Sequence, residues 1–530
     1  MNPSQADHSV RPPRVQIPRD YNAAHDLLGR HAARRSKVAF IDASDGSRLT
    51  YGELESAAHR FASALRAEGF EPESRVMLAV LDTLEWPVVF LGCILAGVVP
   101  VAANTLLTEK DFAFMLRDSK ARGLVVSQPL WPAFAGLVDA IPTLKTVIVA
   151  GVEEAAGRPT VAALIREQED GRQVTPTCSD DACFWLYSSG STGTPKGTVH
   201  LHSHLIQTAE LYGRAVLGIR EDDVVYSAAK LFFAYGLGNA LTFPLSVGAT
   251  TVLLPSRPTP GDVFRVLHEH QPTIFYGVPT LYAALLADPT RPSGDALRLR
   301  VCTSAGEALP AEIGRKWTVQ YGCEILDGIG STEMLHIFLS NRPGEVRYGT
   351  TGREVPGYEL RVVADDGTDC ADGEIGELQI RGPSAALMYW NNRDKTKSTF
   401  CGEWTRSGDK YTRDADGYYT YGGRTDDMLK VGGIYVSPFE VEASLMTHPA
   451  VLEAAVIGVA DTDELVKPKA YVVLKSGQTA AAADLQQHVK RQLAPYKYPR
   501  WIEFVGELPK TATGKIQRFK LRAASAVSGT

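Results

Sequence analysis

The chain reads as an α/β protein with a large, multi-subdomain N-terminal domain on parallel sheets, a barrel-like β piece, and a small mobile α+β C-terminal domain. Three observations predict this. The 530 residues exceed the roughly 250–300 at which a single hydrophobic core stops growing. Up to Ser304, short apolar runs alternate with amphipathic helical stretches, the pattern of βαβ units. From Gly352 onward Gly and Asp become frequent and the apolar period shortens to two, as in antiparallel strands.

The elements follow in chain order. Thr50-Tyr-Gly-Glu53 is a capping-box pattern, with Leu54, Ala58, Phe61 and Leu65 at helical spacing and Gly69 as a stop. Trp86 to Ala103 is uncharged and about as long as the shortest membrane span. Gly97 and Pro100 interrupt it, so it reads as a buried helix from Pro87 to Ala96 and a buried strand over Val98-Val-Pro-Val101. Further strands are expected at Val76–Val80, Leu124–Val126, Thr146–Val149, Val224–Ala228, Thr250–Leu254, Thr273–Gly277 and Arg300–Ser304. Glu377-Leu-Gln-Ile-Arg381 alternates as an antiparallel strand does. After Gly422-Gly-Arg-Thr-Asp-Asp427 come strand-like Ala455–Val459 and Tyr471–Leu474 and a helical Asp484–Leu493. This divides the chain into residues 1–425 and 426–530, hinged at Asp426.

A net charge of −6 gives no electrostatic reason to expect nucleic acid or an anionic membrane. The N-terminus lacks an apolar signal core, and seven scattered cysteines without a CxxC pair read as reduced thiols, so a cytoplasmic monomer or homodimer is expected.

Two segments carry the chemistry. Tyr187-Ser-Ser-Gly-Ser-Thr-Gly-Thr-Pro-Lys-Gly197 follows an apolar strand. Gly190, Gly193 and Gly197 let backbone N–H groups approach phosphate oxygens; Ser189, Ser191, Thr192 and Thr194 supply hydroxyls, and Lys196 charge. Pro195 stands where a Walker A loop requires Gly, so this is a different phosphate loop. Near the other end, Pro509-Lys-Thr-Ala-Thr-Gly-Lys-Ile-Gln-Arg518 presents Lys515. His200-Leu-His-Ser-His204 resembles an alternating ligand set but reads as structural, with Ser203 as a helix N-cap.

With these motifs in order, the chain resembles the acyl-CoA synthetase/adenylate-forming ligase superfamily over nearly its whole length. The resemblance implies ATP, Mg²⁺ and CoA as ligands. Ser304-Ala-Gly-Glu-Ala-Leu309 is similar to the adenine-side loop (Ala305, Gly306, Glu307), opening a helix with Pro310 at its start and Gly322 beyond its end. Asp327-Gly-Ile-Gly-Ser-Thr-Glu333 is similar to the second nucleotide loop. There Asp327 and Ile329 would contact nucleotide, Thr332 the α-phosphate, and Glu333 Mg²⁺. Ser407-Gly-Asp409 resembles the ribose-binding step, with Arg424 close by. Lys515 would bridge carboxylate and α-phosphate during adenylation; Lys430 with Gly432 and Gly433 would serve thioester formation after rotation about Asp426.

The implied acyl pocket contains Phe233, Ala234 and Tyr235 but no anion, so an α-amino acid would bury its ammonium unpaired. Small Ala234, flat Tyr235, Gly328 and Gly330 outline a slot for a planar ring, closed by His336 and Ile337. In these residues the chain resembles the benzoate–CoA ligases. Alternatives are an aryl-acid adenylating enzyme that loads a separate carrier protein, or a ligase for another aryl or short-chain acid. A luciferase-like oxygenase or a catalytically inactive acyl- or nucleotide-binding sensor stands further off.

Overall fold

A computed structural model describes residues 1–189, 195–425, 427–431, 434–461, 466–493, 497–510 and 516–527. Two large sheets form the N-terminal domain. In the first, Arg75–Ala79 lies between Val99–Ala102 and Gly123–Ser127, all parallel, and Thr146–Ala150 extends the far side. On the near side Val99–Ala102 runs parallel to Ala182–Ser189, which turns back antiparallel into Pro195–Leu201. The short strand Met388–Tyr389 then closes that edge. Val76, Met77, Leu78 and Ala79 are all buried, as the continuous apolar run of a strand covered on both faces requires.

The second sheet has nine strands. Its parallel centre runs Ile325–Gly330, Val301–Ser304, Ile274–Gly277, Val224–Ser227, Thr250–Leu253, Val38–Asp42. Antiparallel strands flank it: Ile337–Ser340 and Arg353–Glu354 on one side, Arg48–Thr50 on the other. Every strand expected up to Ser304 is present within a residue or two of its expected bounds.

Local chemistry explains the helices. Thr50 caps Tyr51–Ala67: its hydroxyl accepts from Glu53 N at 3.2 Å, and its own N–H donates to the Glu53 carboxylate at 2.8 Å. Leu54, Ala58, Phe61 and Leu65 are completely buried on one face, each large apolar side chain contributing about 1.5–3 kcal/mol. The buried helix expected from Pro87 runs Glu85–Leu95, two residues earlier, because Pro87 fits a first turn, where no backbone donor is needed. Eleven residues rise only about 16 Å, and among the described residues no helix is long and apolar enough to cross a membrane. Helix Ala311–Tyr321 starts at Pro310 and stops at Gly322, whose φ is +63°.

One expectation fails. Ser203 does not cap a helix; it sits inside His202–Thr208, whose N-cap is Leu201. The strand Pro195–Leu201 runs straight into that helix, leaving no room for a separate capping turn.

Beyond Gly352 an antiparallel sheet of five strands contains Glu359–Val363, Gly376–Arg381, Phe400–Cys401, Trp404–Arg413 and Tyr419–Arg424. The small C-terminal domain has Val451–Ala460 antiparallel to Val466–Leu474, which runs parallel to Trp501–Phe504. Helices Pro438–Met446 and Ala482–Gln492 pack on this sheet, with Leu445, Leu485 and Val489 completely buried. Arg518 donates to both Glu442 carboxylate oxygens at 2.8 Å, and Glu442 also accepts the Val456 N–H at 2.7 Å. That buried pair pins the helix Arg518–Val527 to Pro438–Met446, and removing one partner would strand a charge at a cost of about 3–5 kcal/mol.

Candidate active site

The site lies where parallel strands of the second sheet end, the edge at which such sheets collect ligands. Register places Gly277 beside Ser304 and Ser304 beside Asp327, so the loops that follow these strands are neighbours. Ala305 is buried, Gly306 is exposed at φ +97°, and Glu307 is half-buried. Asp327 is deeply buried, and its Oδ1 has no partner among the described residues. Desolvation pushes its carboxyl well above the ordinary range, against the backbone N–H groups of Leu309 and Gly328.

Past Asp327 the strand bulges. Its register against Ile337–Ser340 shifts between Ile329 and Gly330. A Cβ on Gly330 would stand 2.5 Å from His336 O, so only glycine lets the loop fold back there. Leu335 then takes φ +65°, a left-handed conformation costing on the order of 1–2 kcal/mol for a residue with a Cβ. The half-buried Thr332 and Glu333 lie within this loop.

Glu333 Oε1 accepts from the Tyr389 hydroxyl at 2.6 Å and lies 3.8 Å from Lys196 Nζ. Lys196 Nζ also donates to Tyr389 Oη at 3.3 Å and sits 4.3 Å from that ring's centre. Burial lowers the Lys196 pKa; Glu333 raises it, and Lys395 and Arg424 lower it further. Tyr389 is pushed up by burial, then by Glu333. Sequence reasoning missed Tyr389: it lies 193 positions from Lys196 in a two-residue strand that belongs to no motif. Asp409 and Arg424 stand directly opposite on adjacent strands, and Arg424 Nη1 meets Asp409 Oδ1 at 3.0 Å.

Phe233, Ala234 and Tyr235 are half-buried at the start of helix Ala234–Leu237, which continues as the π-helical stretch Gly238–Thr242. The Tyr235 hydroxyl bonds Thr303 Oγ1 at 2.5 Å and Gly277 O at 3.3 Å. His336 Nε2 donates towards Tyr235 O and Asn239 Oδ1, each at 3.2 Å, and the ring packs 4.5 Å from Phe243. A Cβ on Gly238 would lie 2.3 Å from His336 Cδ2, so the ring occupies space that glycine leaves. Burial lowers the His336 pKa to about 3, so the imidazole is neutral. Ile337 is buried against Gly328, where a Cβ would approach it to 3.1 Å. Thr303 and Asn239, which fix Tyr235 and His336, carried no sequence signal.

Gly190, Ser191, Thr192, Gly193, Thr194, Asp426, Gly432, Gly433 and Lys515 lie outside the described residues, as do the side chains of Ser189 and Lys430. Gly197 continues the hairpin opposite Tyr187, whose hydroxyl donates to Asp118 Oδ2 at 2.6 Å. The His200–His204 segment contributes one contact to the site: His200 Nε2 lies 2.7 Å from Thr332 O.

The lysine–carboxylate–tyrosine cluster, assembled where the edge of the first sheet meets the loop after Ile325–Gly330 of the second, fits an enzyme that turns an acid into its adenylate. Residues 29–390 match the family model described as AMP-binding enzyme, and residues 440–515 match the AMP-binding enzyme C-terminal domain. The chain belongs to the AMP-binding enzyme family. It is 61% identical over 528 residues to the benzoate–CoA ligase of Thauera aromatica, covering 98% of this chain and 99% of that protein. It is 52% identical over 512 residues to the 4-hydroxybenzoate–CoA/benzoate–CoA ligase of Rhodopseudomonas palustris, covering 95% of this chain and 94% of that protein. A benzoate CoA ligase from Burkholderia xenovorans LB400 has a similar structure, with a TM-score of 0.89 at 55% identity, covering 95% of this chain and 100% of that one.

Proposed function

We propose that the chain is an AMP-forming acid–thiol ligase that converts benzoate, ATP and CoA into benzoyl-CoA, AMP and pyrophosphate. The observation that carries this reading is the slot's lining. Tyr235 spends its hydroxyl and His336 its Nε2–H on protein partners, and Phe233 and Ala234 add apolar surface, so the slot offers ring faces rather than a charged anchor. The full-length likeness to a benzoate–CoA ligase supports the same acid.

In the first step a benzoate oxygen attacks the α-phosphorus of ATP and the bond to pyrophosphate breaks. An anion approaches a polyanion, so catalysis consists largely of positioned cations and N–H groups. Lys196 and the glycine-rich loop hold phosphate oxygens, Thr332 donates to the α-phosphate, and Asp409 accepts from ribose hydroxyls beside Arg424. Lys515 bridges the attacking oxygen and the α-phosphate. Glu333, a carboxylate with an oxygen suited to a hard cation, would hold Mg²⁺, which would supply charge neutralisation on the phosphates. In the second step the CoA sulfur attacks the acyl carbon, AMP leaves, and the thiol proton is released. Residues 426–530 rotate about Asp426 between steps, exchanging Lys515 for Lys430, Gly432 and Gly433. The protein acts in the cytoplasm as a monomer or homodimer.

The test is pyrophosphate release with benzoate, hydroxybenzoates, aminobenzoates, cinnamate and hexanoate, with and without CoA. Benzoate is expected to give the highest kcat/KM and benzoyl-CoA as product; a preference for hexanoate would overturn the reading.

A further inference from the structure

The strand Pro195–Leu201 touches the second nucleotide loop twice. Alternate residues of a strand share a face, so Lys196 and His200 point the same way. Lys196 meets the Glu333 side chain, and His200 meets the Thr332 backbone. His200 is completely buried and stacks on Phe184 with ring centres 5.2 Å apart.

The protons follow from the partners. A carbonyl oxygen only accepts, so the 2.7 Å contact with Thr332 O places a proton on His200 Nε2. In a neutral ring His200 Nδ1 is then an acceptor, and it lies 3.0 Å from His204 Nδ1. The same His204 nitrogen accepts the Leu201 N–H at 3.3 Å, which ties His204 to the end of the strand.

The loop needs such ties. Its three successive carbonyls are all held from outside: Thr332 O by His200, Glu333 O by the Ala386 N–H at 2.7 Å, and Met334 O by the Ser384 hydroxyl at 2.7 Å. The next residue is Leu335 at φ +65°, a conformation that persists only where the surroundings over-determine it.

We infer that His200 is a positioning residue for adenylation: its buried ring, stacked on Phe184, orients the Nε2–H onto the Thr332 carbonyl and so aims the Thr332 hydroxyl and the Glu333 carboxylate at the nucleotide. This rests on the 327–333 segment being the loop that meets ATP. The role is separate from catalysis proper, because His200 reaches the reacting atoms only through Thr332.

Three variants test it. His200→Phe keeps a ring on Phe184 and removes the donor. His200→Gln places an amide nitrogen where Nε2 stood, and His200→Asn places one where Nδ1 stood, too short to reach the carbonyl. Benzoate-dependent ATP–pyrophosphate exchange reads adenylation; conversion of supplied benzoyl-AMP and CoA to benzoyl-CoA reads the second step. The Phe and Asn variants are expected to lose about tenfold in exchange kcat/KM for ATP, while Gln stays within about threefold of wild type and all three retain the second step. Equal exchange rates for Gln and Asn would overturn the proposal, and so would parallel loss of both half-reactions in Phe and Asn. If His200→Phe does not fold, the Gln-against-Asn comparison decides alone. Absence of benzoate-dependent exchange in the wild type would instead overturn the functional reading.

Discussion

Replacing Tyr389 with phenylalanine isolates one hydroxyl at the centre of the polar cluster. That hydroxyl donates to Glu333 at 2.6 Å and receives from Lys196 at 3.3 Å. It therefore stands between a cation and an anion whose closest atoms are 3.8 Å apart. A hydrogen bond to a charged group is worth about 1.5–3 kcal/mol, one bound on the effect. The second follows from the ion pair. At an effective dielectric of about 20, closing the Lys196–Glu333 gap from 3.8 Å to about 2.8 Å gains roughly 1.5 kcal/mol. Without the hydroxyl, lysine and glutamate collapse onto each other, and each is less available to phosphate or metal. The two routes together bracket a loss of about ten- to 150-fold in kcat/KM for ATP, with KM for benzoate unchanged. The assay is benzoate-dependent ATP–pyrophosphate exchange at varied ATP and Mg²⁺, where the variant should also need more Mg²⁺. A kcat/KM for ATP within twofold of wild type at every Mg²⁺ concentration would refute the reasoning.

Three other expectations concern the proposed slot, the C-terminal lysine and pH. Ala234→Leu adds three carbons to the slot, costing about 1–3 kcal/mol, so the KM for benzoate should rise about tenfold or more while that for ATP stays put. Unchanged benzoate kinetics would place the ring elsewhere. Lys515→Ala should slow adenylation by about 10²–10³, and near-normal exchange in that variant would remove the lysine from the mechanism. Burial lowers His31, His200 and His202 to about 4 and His336 to about 3, so all four stay neutral in the folded state while an unfolded chain protonates them below about 6.5. The unfolded state then binds more protons, and stability falls as pH drops from about 6.5 towards 4. Each histidine costs about 1.4 kcal/mol at pH 5.5, while the Asp82, Glu85 and Asp327 carboxyls, whose pKa values burial raises, act in the opposite sense. The change in urea-unfolding stability between about pH 7.5 and 5.5 should therefore become about 1.4 kcal/mol less unfavourable in His31→Phe, and an unchanged difference would mean that this ring is hydrated.

Much of this fold is legible because strands buried on both faces must be apolar throughout. Val76–Val80 and Thr250–Leu254 could be placed by composition alone, and Thr50 by its reciprocal bond with Glu53. Motif order likewise located Lys196, Glu333, Asp409 and Arg424, which the structure assembles as two ion pairs. What stayed hidden depends on contacts distant in sequence. Tyr389 acquires its contacts only when a two-residue strand docks on the hairpin of Ala182–Ser189 and Pro195–Leu201, and His200 only through a carbonyl 132 positions away. Asn239 sits in a π-helical stretch for which residue spacing gives no cue. The Ser203 cap failed for a related reason: hydroxyl preference identifies helix starts that follow a turn, whereas this helix grows directly from a strand.

The late docking of Met388–Tyr389 also bears on how the molecule is made. Until the ribosome has released those residues, the hairpin edge formed by Pro195–Leu201 has unmatched amides, an invitation to pairing between nascent chains. A product cut short near residue 350 should therefore aggregate although both large parallel arrays are already encoded, and the protein is best regarded as indivisible during synthesis until its chain has returned to the first sheet.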